Sequence, residues 1–326
     1  MATRFLIPNP KSLIPLLAFA SSLACAQTFP TKPIRIIVPS TPGGSVDTLA
    51  RAVGNHLSEK WGQQVVVDNR SGAGGVIAAE LAAKAPPDGY TLIMGTIASI
   101  ATNVSLARNL PYNPVRDFAP ITQVAGQQLI LVVHPAVAAK SVAELTALAK
   151  AKPGHLTFAS AGNGSGGHLS GELYKILAGI DLLHVPYKGV APALVDVISG
   201  QVTMTFASII SGTPHVKSGK VRGLAVTGAR RSVTFPDLST MAEAGVKGYE
   251  SSTWYGLLAP KATPRPVIMK LHDEVVAMLK LPAVRDRLLA EGADPVGNTP
   301  EQFGAFIQSE IDKWGKVIRT AGLKAE

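Results

Sequence analysis

The stretch I-R-I-I-V-P-S-T-P-G-G-S-V-D-T-L, residues 34–49, introduces a pattern that the rest of the chain repeats. Its first five residues are rich in β-branched side chains, which predicts a short buried strand. Prolines and glycines then break the strand, and Ser45 or Asp47 is placed to open a helix. Because the first turn of a helix has unpaired N–H groups and the positive end of the helix dipole, the Gly-Gly loop suits a small anion. An ordinary strand-to-helix turn would have the same letters, and only a second such loop facing the first would decide between them.

The composition describes a globular protein with an export signal. The chain has 326 residues, of which 46% are hydrophobic and 16% charged, enough for two lobes with their own cores. Residues 1–26 contain Arg4 and Lys11, then an apolar run, then Ala24-Cys25-Ala26, an A-x-A cleavage pattern. No later stretch approaches the roughly 20 apolar residues of a membrane-spanning helix. We therefore expect cleavage after Ala26 and a periplasmic location.

The single cysteine and the net charge limit which kinds of binding or catalytic site the mature chain can have. Cys25 is the only cysteine, so cleavage after Ala26 would leave no thiol, disulfide or thiolate metal site. The alternative is that Cys25 is a lipid-anchored first residue, although Ser22 stands where such signals usually have an aliphatic side chain. Loss of the leader lowers the formal net charge from +9 to +7, without basic clusters interleaved with aromatics. We expect no nucleic-acid partner, no metal ion and no cofactor.

Strands and helices alternate through the first third of the chain. After the predicted strand at 34–38 come a helix at 45–61, a strand at 64–68, a helix at 76–85 and a strand at 90–94. This βαβαβ order predicts a parallel sheet. Loops that follow parallel strands collect at the carboxyl ends of the strands, so Thr96 and Ser99 should lie beside the first loop. Their hydroxyls either face a ligand or cap a helix.

A second glycine-rich loop, A-G-N-G-S-G-G at 161–167, follows a predicted strand at 156–160 and precedes a helix that starts near His168. The letters match G-x-G-x-x-G, the dinucleotide-binding pattern. We reject that interpretation because Asp181 lies at the start of the next strand, where it cannot reach a ribose. The loop is instead a second anion site, and Ala207-Ser208, beyond a predicted strand at 201–206, should lie on the same side.

The other predicted elements complete two lobes. They are strands at 129–133, 182–185, 221–227 and 252–260, and helices at 141–151, 191–199, 264–280, 282–291 and 300–321, with a short helix within 234–245. A proline-rich connection at 109–120 and the change of pattern at 122–128 predict a lobe boundary. We expect lobe 1 to comprise residues 27–125 and 250–326, and lobe 2 residues 126–249, with the C-terminal helices packed on lobe 1.

Almost the whole mature chain resembles the Bug family, the extracytoplasmic solute receptors of tripartite tricarboxylate transporters. The matching stretches include P-G-G-S-V-D at 42–47, V-V-V-D-N-R-S-G-A-G-G at 65–75, A-S-A-G-N-G-S-G-G-H-L-S-G-E-L at 159–173 and H-V-P-Y-K-G at 184–189. The resemblance implies an α/β fold of the periplasmic binding protein type II kind. Two Rossmann-like lobes, joined by crossover strands, would close on a small ligand.

In the family, the two glycine-rich loops grip a carboxylate with backbone N–H groups, short hydroxyls and bridging water. Carried onto this sequence, the site comprises Ser40, Thr41, Gly43, Gly44 and Ser45 in lobe 1 and Ser160, Asn163, Gly164, Ser165 and His168 in lobe 2. Position at the loop edge adds Thr96, Ala207 and Ser208. His168, one turn into its helix, would donate to a ligand oxygen or lie on the helix surface, and the resemblance favours ligand contact.

Two departures from the family pattern bear on the ligand. The family usually has an aromatic residue where Ser40 stands, so a small polar residue implies a wider or wetter pocket. It often has an acidic residue where Ala207 stands, able to pair with a ligand ammonium. We therefore expect a small carboxylate without an amino group, either a di- or tricarboxylate or an aromatic carboxylate.

A binding protein is the function class that these patterns favour. The sequence has no G-x-S-x-G, H-x-x-x-H or H-x-x-E-H motif, so we expect no enzyme, although an exported hydrolase with a spatially assembled site is an alternative. We expect a monomeric receptor that serves the integral-membrane subunits of a transporter. The other alternative is a ligand sensor for a signalling partner such as a sensor kinase.

Overall fold

The computed structural model describes residues 29–320 together with Met1, Gly322 and Leu323. The predicted leader, Cys25 and the cleavage site after Ala26 lie outside the described residues. Among the residues that are described, no helix combines the length and apolar character needed to cross a bilayer.

Strands and helices alternate as the sequence pattern predicts. In chain order they are β1 (Ile34–Val38), α1 (Ser45–Trp61), β2 (Val65–Asn69), α2 (Val76–Ala83), β3 (Thr91–Thr96), α3 (Asn103–Leu106), β4 (Phe118–Val133), α4 (Val142–Ala151), β5 (Thr157–Ser160), α5 (Gly166–Ala178), β6 (Leu183–Pro186), α6 (Val190–Ile198), β7 (Met204–Ser208), α7 (Ile209–Lys217), β8 (Arg222–Val226), β9 (Ser252–Pro260), α8 (Arg265–Lys280), α9 (Pro282–Ala290), β10 (Ala293–Pro295) and α10 (Pro300–Thr320). A 3-10 turn at Ala73–Gly75 precedes α2, and a π-helical turn at Ala98–Thr102 leads into α3.

Eight of the ten described strands form one continuous path in the order β2-β1-β3-β9-β4-β7-β5-β6, and β8 and β10 each pair with β4 beside it. At one end β1 is parallel to β2 and β3, and at the other end β5 is parallel to β6 and β7. The long strand β4 joins the two ends. It pairs with β9 from Phe118 to Gln128, and with β7 and β8 from Leu129 to Val133. This change of partner lies close to the predicted boundary at residues 125 and 126; the exact division stays a prediction.

The hydrophobic core is split in the same way. Buried side chains of β1, α1 and α8 form one cluster, and Phe303 and Trp314 of α10 belong to a second cluster against β3 and β9. Other clusters fill the faces of β4, β5 and β7. We call the half with β1–β3 and α8–α10 lobe 1, and the half with β5–β8 lobe 2. Helices α8 and α10 thus pack against the end of the sheet that contains β1 and β3.

Two local predictions are wrong, and helix α7 is not predicted. No helix forms within 234–245, where turns replace it. The sequence pattern gives no indication of α7, whose residues include Gly212 and Pro214. Ser208 begins this helix by accepting a hydrogen bond from the Ser211 N–H. The strand expected at 201–206 runs from Met204 to Ser208, so Ala207 and Ser208 end the strand itself.

Candidate ligand-binding site between the lobes

A cavity of about 90 Å³ lies between the two lobes, where the carboxyl ends of β1, β3, β5 and β7 meet. Pockets for drug-sized ligands commonly measure roughly 300–1,000 Å³. In this closed arrangement the space therefore suits a small molecule. Its wall combines the first glycine-rich loop, the second glycine-rich loop and the middle of the crossover strands.

Helix N-termini converge on this cavity from both lobes. The wall includes the starts of α1 at Gly44 and Ser45, of α5 at Ser165 and Gly166, and of α7 at Ser208. Gly44 has no side chain to cap the first amides of α1, and the first two residues of α5 are both glycine. Unpaired N–H groups and helix dipoles therefore favour negative charge in the cavity.

Neutral groups make up the rest of the wall. Among the described residues that line it, none is acidic or basic. Burial raises the pKa of Tyr255 to about 12, and the neighbouring side chains of Ser45 and Thr253 act in the opposite direction. The Tyr255 phenol thus keeps its proton at neutral pH and can donate it. An anion here would be held by amides and hydroxyls, without a counter-ion.

Three serines connect the lobes beside the cavity. The Ser45 Oγ of α1 is hydrogen-bonded to the Ser208 Oγ at the end of β7, and lies 3.2 Å from the Ser211 Oγ of α7. Ser208 and Ser211 are themselves 3.0 Å apart. We call these residues the serine cluster. Its two bonds from Ser45 cross the cleft, whereas the bond between Ser208 and Ser211 lies within lobe 2.

An aspartate behind the first loop sets the shape of that loop. Gly43 has a φ of +85°, which favours glycine, and its N–H donates to the Asp47 Oδ2 at 3.0 Å. Arg51 and Asn69 also donate to the Asp47 carboxylate. Burial alone would raise the pKa of Asp47, but these hydrogen bonds more than offset it and lower that pKa. The Gly43 amide is therefore occupied by Asp47 and does not face the cavity.

Two histidines support the second loop from behind. The Gly164 N–H donates to the His168 Nδ1 at 3.0 Å, and the Ser160 Oγ lies 2.6 Å from the His184 Nε2. His168 is 6% exposed. It is not among the residues that line the cavity. The structure thus places the His168 ring under the loop, behind the lining residues of the cavity.

The predicted residues divide into two groups. Those at the cavity wall are Ser40, Gly44, Ser45, Thr96, Ser165 and Ser208. Those behind the wall or at its rim are Thr41, Gly43, Ser160, Asn163, Gly164, His168 and Ala207. Thr96 also has the alternative role, since its N–H donates to the Ser99 Oγ at 3.0 Å and its hydroxyl accepts from the Ser99 N–H at 3.3 Å. A ligand role for any of these residues stays a prediction.

The position of the Ala207 side chain weakens one reason for expecting a ligand without an ammonium group. Its side chain is fully buried in the core of lobe 2, on the face of β7 opposite Phe206 and Ser208. The residue type at Ala207 therefore bears less directly on ligand charge than the sequence analysis expects. The stronger evidence is the wall as a whole, which has no carboxylate among its described residues.

Part of the wall comes from strand residues that were not predicted from the sequence. Thr253 and Tyr255 of β9, Leu129 of β4 and Phe206 of β7 all line the cavity. Tyr255 pairs in register with Thr96, at the edge where the loops collect. The predicted returning strand at 252–260 contained this signal, but only its pairing with β3 gives the position of Tyr255.

Metal ligation has no support in the described part of the chain, where no group of three or more His, Cys, Asp or Glu side chains is arranged to hold an ion. Amides, hydroxyls and apolar side chains are the groups that the cavity offers. These groups can orient a small anion but include no arranged nucleophile and base.

Comparison with known proteins places the chain in a family. Residues 49–323 match the model of the tripartite tricarboxylate transporter family receptor. The chain is 39% identical over 300 residues to Protein BugT of Bordetella pertussis, covering 92% of each chain. The structure of R. palustris Rpa4515 with adipate is similar at 40% identity and a TM-score of 0.89, covering 91% of this chain and 99% of that one.

A second solved structure agrees in fold. MatC (Rpa3494) from Rhodopseudomonas palustris with bound malate is 33% identical, covers 89% of this chain and 100% of its own, and has a TM-score of 0.85. The two-lobed α/β fold class expected from the sequence is thereby confirmed. The chain belongs to the family of tripartite tricarboxylate transporter receptors.

Proposed function

We propose that this protein captures a small dicarboxylate between its lobes in the periplasm, after cleavage of its leader, and presents it to the integral-membrane subunits of a transporter. The observation that carries the proposal is the cavity wall. Helix N-termini from both lobes meet there with hydroxyl groups. The lining residues that the structure describes include no basic side chain, so these backbone and hydroxyl donors would hold the anion in its place.

The chemistry of the wall also supports a ligand without an amino group. An ammonium buried in the cavity would need a carboxylate partner, because an unpaired charge out of water is costly. The described lining offers none. Apolar side chains such as Ile97, Leu129 and Phe206 would contact the carbon chain of the ligand. The family relatives whose structures contain adipate and malate have ligands of this class.

Closure of the lobes would turn binding into a signal for the transporter. The lobes already touch across the cleft, where the Thr102 Oγ1 donates to the Gly164 carbonyl at 2.8 Å and the Thr41 N–H to the Lys188 carbonyl at 3.3 Å. A ligand that contacts both lobes stabilises this shut state over an open one. The shut surface is then what the membrane subunits would recognise.

Isothermal titration calorimetry with the mature chain tests the proposal. Adipate and malate should bind, while glutamate and aspartate should bind at least tenfold more weakly. Tyr255→Phe removes the phenol hydroxyl at the wall and should weaken dicarboxylate binding about tenfold, since a hydrogen bond to a charged group contributes about 1.5–3 kcal/mol.

Tyr249→Phe is the matched control. The Tyr249 hydroxyl is buried too, but it donates to the Ser170 carbonyl at 2.9 Å, in the interior of lobe 2. This variant should lose stability and keep its affinity for dicarboxylates. Tight binding of glutamate with no response to adipate or malate would show that the proposed ligand class is wrong.

A further inference from the structure

We propose that His168 and His184 are positioning residues that hold the second glycine-rich loop in shape only while both rings are neutral, so that acid opens the closed receptor and releases its ligand. The two rings stack at 4.1 Å between centroids, with 20° between their planes. Phe158 packs beside both rings, with its centroid 4.8 Å from that of His184 and 6.4 Å from that of His168. The part that concerns ligand release rests on the function proposed above.

Hydrogen-bond geometry requires the neutral form of His168. Its Nδ1 accepts the Gly164 N–H at 3.0 Å, so this nitrogen has no hydrogen of its own. Protonation would place an N–H at Nδ1 pointing at another N–H. The bond to Gly164 would then be lost, and the loop would have to move away from the ring.

Gly164 carries this effect across the cleft. Its φ of +74° favours glycine, and while its N–H is bonded to His168 in lobe 2, its carbonyl accepts from the Thr102 Oγ1 in lobe 1 at 2.8 Å. Ser165, Gly166 and Gly167, which follow Gly164 directly, line the cavity. A shift of this one residue therefore disturbs both the ligand wall and a contact that exists only in the shut form.

His184 fixes the other end of the same loop. Its Nε2 lies 2.6 Å from the Ser160 Oγ, which also accepts from the Gly162 N–H at 3.1 Å. Because the rings lie so close together, a charge on one disfavours a charge on the other. The pair therefore behaves as one neutral unit beneath residues 160–164.

Few charged groups face this unit. On α5, the Glu172 Oε1 lies 3.9 Å from the His168 Nε2, and Lys175 lies 3.2 Å from the same carboxylate. The lysine offsets the attraction that Glu172 alone would exert on a protonated ring. Phe158 of β5, Thr102 of lobe 1 and the loop backbone bring no charge. Burial, with smaller repulsion from Lys175, lowers the pKa of His168 to about 4, and burial with repulsion from His168 and Lys175 lowers that of His184 to about 3.

Binding of adipate by calorimetry at pH 7 and pH 4.5 tests the proposal with three variants. His168→Asn keeps an acceptor near the Nδ1 position but cannot be protonated. His168→Leu removes the acceptor, and His155→Asn makes the same change at an exposed histidine as a control. Adipate takes up protons itself over this pH range, equally for all proteins, so the comparison between variants is what counts.

We expect wild type and His155→Asn to lose at least tenfold more affinity than His168→Asn when the pH falls from 7 to 4.5. His168→Leu should already bind weakly at pH 7. An equal loss for wild type and His168→Asn would overturn the proposal. So would normal affinity of a folded His168→Leu protein.

A second measurement needs no ligand. Amide exchange by NMR, expressed as protection relative to the unfolded chain at the same pH, should show the protection of the Gly164 N–H fall at least tenfold from pH 7 to pH 4.5 in wild type. In His168→Asn the amide should stay protected at both values. If no carboxylate binds wild type but Gly164 behaves in this way, the proposed ligand is wrong while the positioning role stands; unchanged protection of Gly164 contradicts the positioning role itself.

Discussion

A single methyl group at Gly44 should hinder closure of the lobes. Gly44 is the N-cap of α1 in lobe 1, and its φ of −86° and ψ of 167° suit an alanine. A Cβ at this position would lie 3.1 Å from the Cγ1 of Val190, the first residue of α6 in lobe 2. Carbon atoms prefer about 3.5–4.0 Å. The clash therefore exists in the shut form and disappears when the lobes separate.

The magnitude follows from the overlap. Overpacking costs typically 1–3 kcal/mol, and the lower end applies because one valine methyl can shift by a few tenths of an ångström. A cost of about 1 kcal/mol in the shut form alone shifts the closure equilibrium by about fivefold. Gly44→Ala should therefore bind adipate about fivefold more weakly than wild type. Any loss of capping at α1 affects open and shut forms alike.

Calorimetry with adipate measures this effect, and a second substitution tests its cause. In Gly44→Ala/Val190→Ala the valine methyls are gone, so the double variant should bind better than the two single variants predict by addition. Gly304→Ala is the control, because its Cβ would make only an ordinary 3.6 Å contact with Pro120 inside lobe 1. Wild-type affinity of Gly44→Ala, or a double variant with no recovery, would refute the reasoning.

Three further outcomes are expected. Ser211→Ala removes one member of the serine cluster without touching the cavity wall, and should weaken adipate binding about two- to fivefold with little change in the thermal midpoint of the ligand-free protein. Glu310→Ala should lower the free energy of unfolding, measured in urea, by about 2–4 kcal/mol. The Glu310 Oε2 accepts from the indole N–H groups of both Trp254 and Trp314, and these two groups would be left buried and unpaired. The affinity for adipate should not change. The third concerns acid: the folded-state pKa of His168, about 4, lies below its ordinary value of 6.5, so the unfolded chain binds more protons and stability should fall as the pH drops from about 6.5 to about 4. His168→Asn should flatten this part of a pH series of urea midpoints, and a stability that rises over the same interval would contradict the neutral pair.

Much of the fold could be predicted from local sequence because each unit has a local cause. The β-branched run at residues 34–38 forms a strand, and the apolar spacing along 45–61 forms a helix that packs on it. Where prediction failed, local and tertiary preferences disagree. Residues 209–217 contain glycine and an internal proline, yet they are helical, since Ser208 caps the start and the helix packs on β4 and β7.

The sequence predicted where the candidate cavity lies, but it did not predict all the residues that line it. Gly43 in the first loop and Gly162 and Gly164 in the second occupy positive φ angles, a conformation that favours glycine at these positions. The sequence does not determine the direction in which a side chain points. His168 has a plausible place for ligand contact, one turn into its helix, and the structure turns its ring toward the Gly164 amide instead.

The sequence by itself determined the strand-loop-helix units, the two glycine-rich helix starts and the family, because these depend on residues that are neighbours along the chain. Only the tertiary structure decided that Tyr255 lies opposite Thr96 and that Ser45 meets Ser208, 163 residues away. Contacts of this kind depend on strand register and on the angle between two lobes. Both are set by the packing of many side chains together, and no local stretch of sequence encodes them.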